Sequence, residues 1–132
     1  IKVFNNGDMV RDFTFIDDIS EAVFRCCYKP AKPNKDFDKS NPESATSFAP
    51  SLILNVGNGR PVNLMDFIEL LEISLGKKAI KEFQCMQPGD VKETSSDTTL
   101  LESWIDFKPL TSIEEGVDAF AKWYLKFHKK LF

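Results

Sequence analysis

The sequence predicts an α/β fold on three observations. "SLILNVGN" is a continuous apolar run punctuated by Gly57 and Gly59, the composition of a strand buried on both faces of a parallel sheet. Immediately after it, Leu64, Phe67, Ile68, Leu71 and Leu75 recur at the spacing that puts them on one side of a helix. "AIKEFQC" then returns to strand composition, so strand, helix and strand follow in order and a right-handed parallel crossover is expected.

The elements follow along the chain. "IKVFNNGDMVRDFTFI" alternates at Ile1/Val3 and Phe13/Phe15 around the turn formers Asn5, Asn6 and Gly7, which predicts a strand, a turn and a second strand. Asp17 or Asp18 is placed to accept the free amides of a helix start, with Ile19, Val23 and Cys26 as the buried face and an end near Tyr28 to Pro30. Residues 30–50 are too polar to bury and too long for an ordinary connector, and are expected to form a flexible surface loop. Asn63 is the expected cap of the central helix, Pro61 is tolerated ahead of it, and Gly76 is positioned to end it. A short helix in "SDTTLLESW" is expected to start from Ser96 or Asp97. Ser112 and Glu115 form a capping box for the last helix, whose apolar face is read as Ile113, Val117, Phe120, Tyr124, Phe127 and Leu131. Glu114 and Glu115 at its start and Lys126, Lys129 and Lys130 near its end both complement the helix dipole.

Composition narrows the function. With 132 residues, 42% apolar content and a net charge of −3, the chain can bury one globular core. It has no Lys/Arg cluster with which to hold nucleic acid or an anionic membrane. No apolar run approaches the roughly 20 residues that span a bilayer, and no charged and then apolar leader opens the sequence. Cys26, Cys27 and Cys85 are an odd number without metal-ligand spacing, which reads as reduced thiols in a cytoplasmic protein; His128 stands alone in a lysine-rich tail. The chain opens in the middle of strand composition with Ile1, so a longer parent protein is expected.

Four groups of residues could carry chemistry. "NVGNGRPVN" resembles a glycine turn that cradles a dinucleotide pyrophosphate, with Glu82 at the distance of a ribose-binding acid. Val62 occupies the place of its third glycine, however, and Pro61 removes an amide, so a tight structural turn is the better account. Asp17 and Asp18 are neighbours at a helix start and do not converge on one substrate atom. Gln87 and Asp90 flank Gly89 in a turn, where they either reach a ligand or face solvent. Arg11 has a fork of donors suited to a diphosphate, with Phe4, Phe13 and Phe15 as flat surface for a base. Its structural alternative is a surface ion pair with Asp12 or Asp18.

Taken in order, "VFNNGDMVRDFTFIDDI", "SFAPSLILNVGNGRPVNLMDFIELLE", "MQPGDVKETSSDTTLL" and "IDFKPLTSIEEGVDAFAKWY" resemble the C-terminal part of an extended short-chain dehydrogenase/reductase. Within that superfamily the resemblance is to NAD-dependent nucleotide-sugar epimerases and dehydratases, closest to UDP-glucuronate 4-epimerases. It implies a substrate-binding C-terminal portion, residues 1–132, of a Rossmann-type enzyme, with the N-terminal NAD-binding domain and its Tyr-x-x-x-Lys pair absent from this chain. Tyr28 and Lys32 fit the letters of that pair but run into the proline-rich loop. Carried over by position, Arg11 grips the diphosphate, Phe4 lies beside the base and Asp90 meets the ribose hydroxyls. Gln87 stands where several relatives have a second arginine. NAD is implied for the full-length enzyme and none for this portion, which contributes binding and no catalytic residue. The implied partners are a UDP-sugar and the missing domain, and a homodimer is compatible. A related dehydratase or decarboxylase, such as a dTDP-glucose dehydratase or UDP-xylose synthase, or a non-catalytic binding module, is the alternative.

Overall fold

The computed structural model describes residues 1–128. The elements are β1 (Lys2–Val3), β2 (Val10–Arg11), α1 (Ile16–Tyr28), β3 (Val62–Asn63), α2 (Leu64–Leu75), β4 (Glu82–Phe83), α3 (Thr99–Ile105) and α4 (Ile113–His128). β1 runs parallel to β4, with Lys2 opposite Glu82, and β2 runs antiparallel to β3, with Arg11 opposite Val62. The chain is thus mixed helix and strand, but its sheets are small and separate.

The first two strands do not pair with each other. Asn5, Asn6 and Gly7 all hold positive φ (48°, 51° and 83°), which turns the backbone away before a hairpin can close. Gly7 has a second reason to lack a side chain: a Cβ there would stand 2.7 Å from Met65 Sδ. The second strand is Val10–Arg11, so Phe13 and Phe15 lie beyond it. Phe13 instead stacks on Phe67 of α2, ring centroids 4.0 Å apart.

"SLILNVGN" forms no ladder of its own; its only bridge joins Leu52 to Thr46. Leu54 and Val56 pack on the core, whereas Ile53 is 63% exposed, so one face is covered and not both. The expected crossover is absent as well, because β3 belongs with β2 and β4 with β1.

The helices fare better, with differences of detail. α1 ends at Tyr28 as expected, but it starts without a side-chain cap. Asp18 Oδ2 accepts the Thr111 N–H at 3.1 Å instead, tying the helix to the segment before α4. The buried residue of α1 is Ala22, with Cys26 packed beside it, while Val23 is 58% exposed. Asn63 is the first cap position of α2, yet its amide donates to Asp66. Gly76 closes α2, its N–H reaching the carbonyls of Glu72 and Ile73. Asp97 Oδ1 accepts the Thr99 N–H at the start of α3. The capping box of α4 is complete: Glu115 N–H donates to Ser112 Oγ at 3.2 Å and Ser112 N–H to Glu115 Oε2 at 3.0 Å.

α4 turns its small side inward. Gly116, Val117 and Ala121 are buried where it packs beside α2, leaving Phe120 and Phe127, read from sequence as core, 44% and 63% exposed. A Cβ at Gly116 would stand 3.2 Å from Phe15 Cδ2, so the missing side chain admits the Phe15 ring against this face of the helix. Leu131, Lys129 and Lys130 lie outside the described residues. The core centres on Ala22, Leu101 and Ile105, with Leu54, Val56, Trp104 and Phe107 around them.

Sequence reasoning did not anticipate Glu72, which is buried at the end of α2. Its carboxylate accepts Lys78 Nζ (2.8 Å), Lys81 Nζ and the Ala79 N–H (2.9 Å), pinning the turn that leads to β4. The hydrogen bonds from Lys78, then Lys81 and Ala79, outweigh burial and pull its pKa from 4.5 down to about 2. Its pKa is depressed on folding, so its contribution to stability is present above the unfolded value and lost as pH falls toward the folded one. The melting temperature should therefore drop between pH 4.5 and about 2. Glu72→Gln should melt lower at pH 7 and show a shallower decline through that window. Equal slopes in the two proteins would remove Glu72 from the acid response.

Residues 30–50 contain no regular element among the described residues, although Asn34 N–H donates to Ser47 O and Ile53 N–H to Ala45 O. Two such ties leave most of the backbone open to a protease. Limited trypsin digestion should cut first at Lys35 or Lys39. First cleavage inside α4 would contradict this organisation.

Candidate functional site

Of the four residues singled out from sequence, Arg11 and Asp90 are brought together, Gln87 joins them only through its main chain, and Phe4 makes no recorded contact with them. Arg11 and Asp90, 79 positions apart, meet directly: Arg11 Nη2 lies 3.1 Å from Asp90 Oδ1. Arg11 does not pair with Asp12 or Asp18. Phe4 is half-buried where β1 leaves its sheet, beside the Asn6 N–H that donates to Gln84 O. Gln87 is exposed, and its carbonyl accepts the Asp90 N–H at 3.2 Å.

That last bond closes a four-residue turn. Pro88 in the second position and Gly89 at φ 83° in the third are the requirements of a type II turn, which places Asp90 at its exit. From there residues 91–94 run alongside β2: Val10 N–H donates to Lys92 O (2.9 Å) and Thr94 N–H to Val10 O (3.2 Å). Lys92 Nζ reaches Asp8 Oδ2 at 2.7 Å on the exposed side of the same pairing.

Arg11 is held firmly by this strap. Nη1 donates to Val10 O (2.8 Å) and Lys92 O (3.0 Å), and Nη2 donates to Val91 O (2.7 Å) as well as to Asp90. The side chains of Arg11 and Asp90 are 22% and 32% exposed, so the pair is partly shielded yet within reach of a ligand. An arginine fixed by main-chain carbonyls is preorganised for an anion, because little side-chain freedom remains to be lost on binding.

The residue that sequence reasoning missed is Asp12. Its carboxylate accepts the Gly59 N–H (3.1 Å) and the Ser96 N–H (2.9 Å), while its own N–H donates to Thr94 Oγ1 (3.2 Å). It thereby joins β2, the glycine turn and the strap carrying Asp90. Gly57 makes this junction fit, since a Cβ there would fall 2.0 Å from Ser96 Oγ. In the glycine turn, Gly59 thus donates to Asp12 the amide that would face a pyrophosphate, and Pro61 has none to offer.

Other features do not converge on this region. Asp18 is engaged with Thr111, so the Asp17/Asp18 pair makes no common site. Cys26, Cys27 and Cys85 are free thiols, and no group of three metal-ligating side chains occurs among the described residues. No helix among the described residues is long and apolar enough to cross a membrane. A cavity of about 330 Å³ lies between segment 13–15, α2 and α4, but its walls, including Phe13, Phe15, Phe67 and Val117, carry no charged group for a phosphate.

Comparison with known proteins identifies the class. A variant of the UDP-glucuronic acid 4-epimerase of Bacillus cereus, solved with NAD and UDP-4-deoxy-4-fluoro-glucuronic acid, superposes with a TM-score of 0.71 at 25% identity. The match covers all of this chain and 36% of that one. The chain belongs to the extended short-chain dehydrogenase/reductase class of nucleotide-sugar epimerases and dehydratases, and corresponds to their C-terminal portion. Some of its relatives are named as UDP-glucuronate 4-epimerases. The probable UDP-glucuronate 4-epimerase of Rhizobium meliloti (strain 1021) is 39% identical over 125 residues, 94% of this chain and 37% of the relative. Protein CapI of Staphylococcus aureus is 48% identical over 130 residues, 98% of this chain and 39% of the relative. The chain thus spans about two fifths of the length of these relatives. No protein-family model matches it.

Proposed function

We propose that this chain is the UDP-binding portion of a UDP-glucuronate 4-epimerase, which interconverts UDP-glucuronate and UDP-galacturonate. The observation that carries this reading is the meeting of Arg11 and Asp90 at 3.1 Å, in a chain whose relatives include a probable UDP-glucuronate 4-epimerase. Arg11 binds the diphosphate, Asp90 accepts the ribose hydroxyls and Phe4 flanks the base. Gln87 stands at the entrance of the turn that delivers Asp90. The oxidation and reduction at C4, and the NAD that serves it, belong to the part of the relatives that this chain does not match.

The partners in this reading are the UDP-sugar and that NAD-binding portion. Val23, Phe24 and Ile53, between 57% and 63% exposed, support an apolar face on which it docks. A nucleotide-sugar substrate and three free thiols support a cytoplasmic setting.

The test is to incubate the full-length polypeptide with UDP-glucuronate and NAD and follow the sugar H4 signal by NMR. UDP-galacturonate approaching an equilibrium mixture is the expected product. A 4-keto sugar or UDP-xylose would reassign the protein to a dehydratase or decarboxylase, and no turnover alongside tight UDP binding would favour a non-catalytic binding module.

A further inference from the structure

We propose that Asp90 makes this site selective for ligands that carry both a diphosphate and a vicinal diol, by occupying Arg11 until the diol can take up the freed carboxylate. The proposal rests on the UDP-binding reading given above. It follows from counting donors. Arg11 has five N–H groups, and the four on its terminal nitrogens are directed at four oxygens, Val10 O, Lys92 O, Val91 O and Asp90 Oδ1, with Met9 Sδ a weak further acceptor 3.8 Å from Nη2. Only Nε–H lacks an acceptor among the described residues. A two-point grip on phosphate therefore requires one of the four acceptors to withdraw.

Asp90 is the one able to withdraw. The other three are main-chain carbonyls of β2 and the strap, fixed by the bonds from Val10 N–H to Lys92 O and from Thr94 N–H to Val10 O. Among the four oxygens Asp90 alone belongs to a side chain, and at 3.1 Å its bond is the longest of the four; displacing the weak Met9 Sδ contact frees no N–H, since Nη2 carries two and both point at oxygens. It is also the only charged acceptor, so exchanging it for a phosphate oxygen conserves charge at the guanidinium. The exchange leaves the carboxylate with one donor, the Val91 N–H at 2.9 Å, and with a new anion beside it. That state is unfavourable for a partly shielded carboxylate. A ribose supplies two hydroxyl donors at that moment, whereas inorganic pyrophosphate supplies none. The ion pair thus discriminates against simple diphosphates, and the diol removes the penalty.

The experiment is calorimetric titration of the full-length polypeptide with UDP, 2′,3′-dideoxy-UDP and inorganic pyrophosphate, on the wild type and D90N. The wild type should bind UDP at least about tenfold more tightly than either other ligand, the worth of one charge-assisted hydrogen bond. In D90N, pyrophosphate should bind about tenfold more tightly than in the wild type, and UDP and 2′,3′-dideoxy-UDP should become equal. Weaker or unchanged pyrophosphate binding in D90N would overturn the proposal, since a purely structural role for Asp90 weakens all three ligands together. The wild-type ligand series is decisive even if D90N misfolds, because equal affinity for UDP and its dideoxy form would also overturn it. Failure of the underlying reading looks different. A wild type that binds neither UDP nor pyrophosphate removes the UDP site and the proposal with it, whereas tight, Arg11-dependent UDP binding without the D90N pattern removes only the proposal.

Discussion

Replacing Arg11 with alanine in the full-length polypeptide is expected to weaken UDP binding by a factor of tens to hundreds. A two-point grip on the diphosphate comprises charge-assisted bonds of about 1.5–3 kcal/mol each, and since the two are not additive the loss is about 2–4 kcal/mol. The cost to the unliganded fold is smaller. Val91 O and Asp90 lose their Arg11 donor, but water reaches this partly exposed edge and replaces much of the bonding, so stability falls by about 1 kcal/mol. Arg11→Lys separates charge from shape: lysine keeps the cation but cannot serve three carbonyls and a phosphate with one ammonium group, so UDP binding should fall between the wild type and the alanine variant. Calorimetry with UDP and melting curves in one buffer would measure both effects. Unchanged UDP affinity in both variants would sink the phosphate role.

Leu101→Ala is expected to be the most damaging single truncation for the fold. Leu101 is 0% exposed and sits among Ala22 and Ile105, where α1, α3 and residues 54–56 come together. Leucine-to-alanine changes in such positions cost about 2–5 kcal/mol, the upper end applying where the surroundings cannot collapse. Ala22 has no volume with which to fill the gap, and Ile105 is held in the same short helix, so a value in the upper half is expected. The melting temperature should fall by on the order of 10 °C. Leu101→Met keeps the volume and should cost less than about 1.5 kcal/mol. Similar melting temperatures for the two variants would mean that the site relaxes freely and that the core lies elsewhere.

Periodicity and caps revealed the helices because both signals are local. The Leu64 to Leu75 stripe, the Ser112–Glu115 box and Gly76 each depend on residues within a few positions of one another. The strands were less legible for the opposite reason. Composition marks a segment as extended but does not name its partner, and β1 finds β4 some 80 positions away. Ile53 is instructive: its apolar neighbours on both sides demand cover on two faces, and the elements of this chain supply only one. Arg11 and Asp90 were singled out through the order of motifs, though not their contact with each other, whereas Asp12 and Glu72 were not singled out. Their partners are chiefly main-chain amides and lysines in turns, placed by the tertiary fold and without a signature in the letters around them.

The ion pair between residues 11 and 90 also has a consequence for the order in which the molecule assembles. It closes a loop of 79 positions. Closing a flexible loop of that length costs about 4 kcal/mol of chain entropy, scaling as (3/2)RT ln n. Helices form on local contacts before such a closure becomes favourable, so the Arg11–Asp90 junction is expected to become native after the helices, together with the other long-range contacts. In the function proposed above, a nucleotide touching both ends of that loop would act as a clasp, favouring the closed chain by mass action. On that reading, substrate supply and resistance to degradation would be coupled through a single pair of side chains.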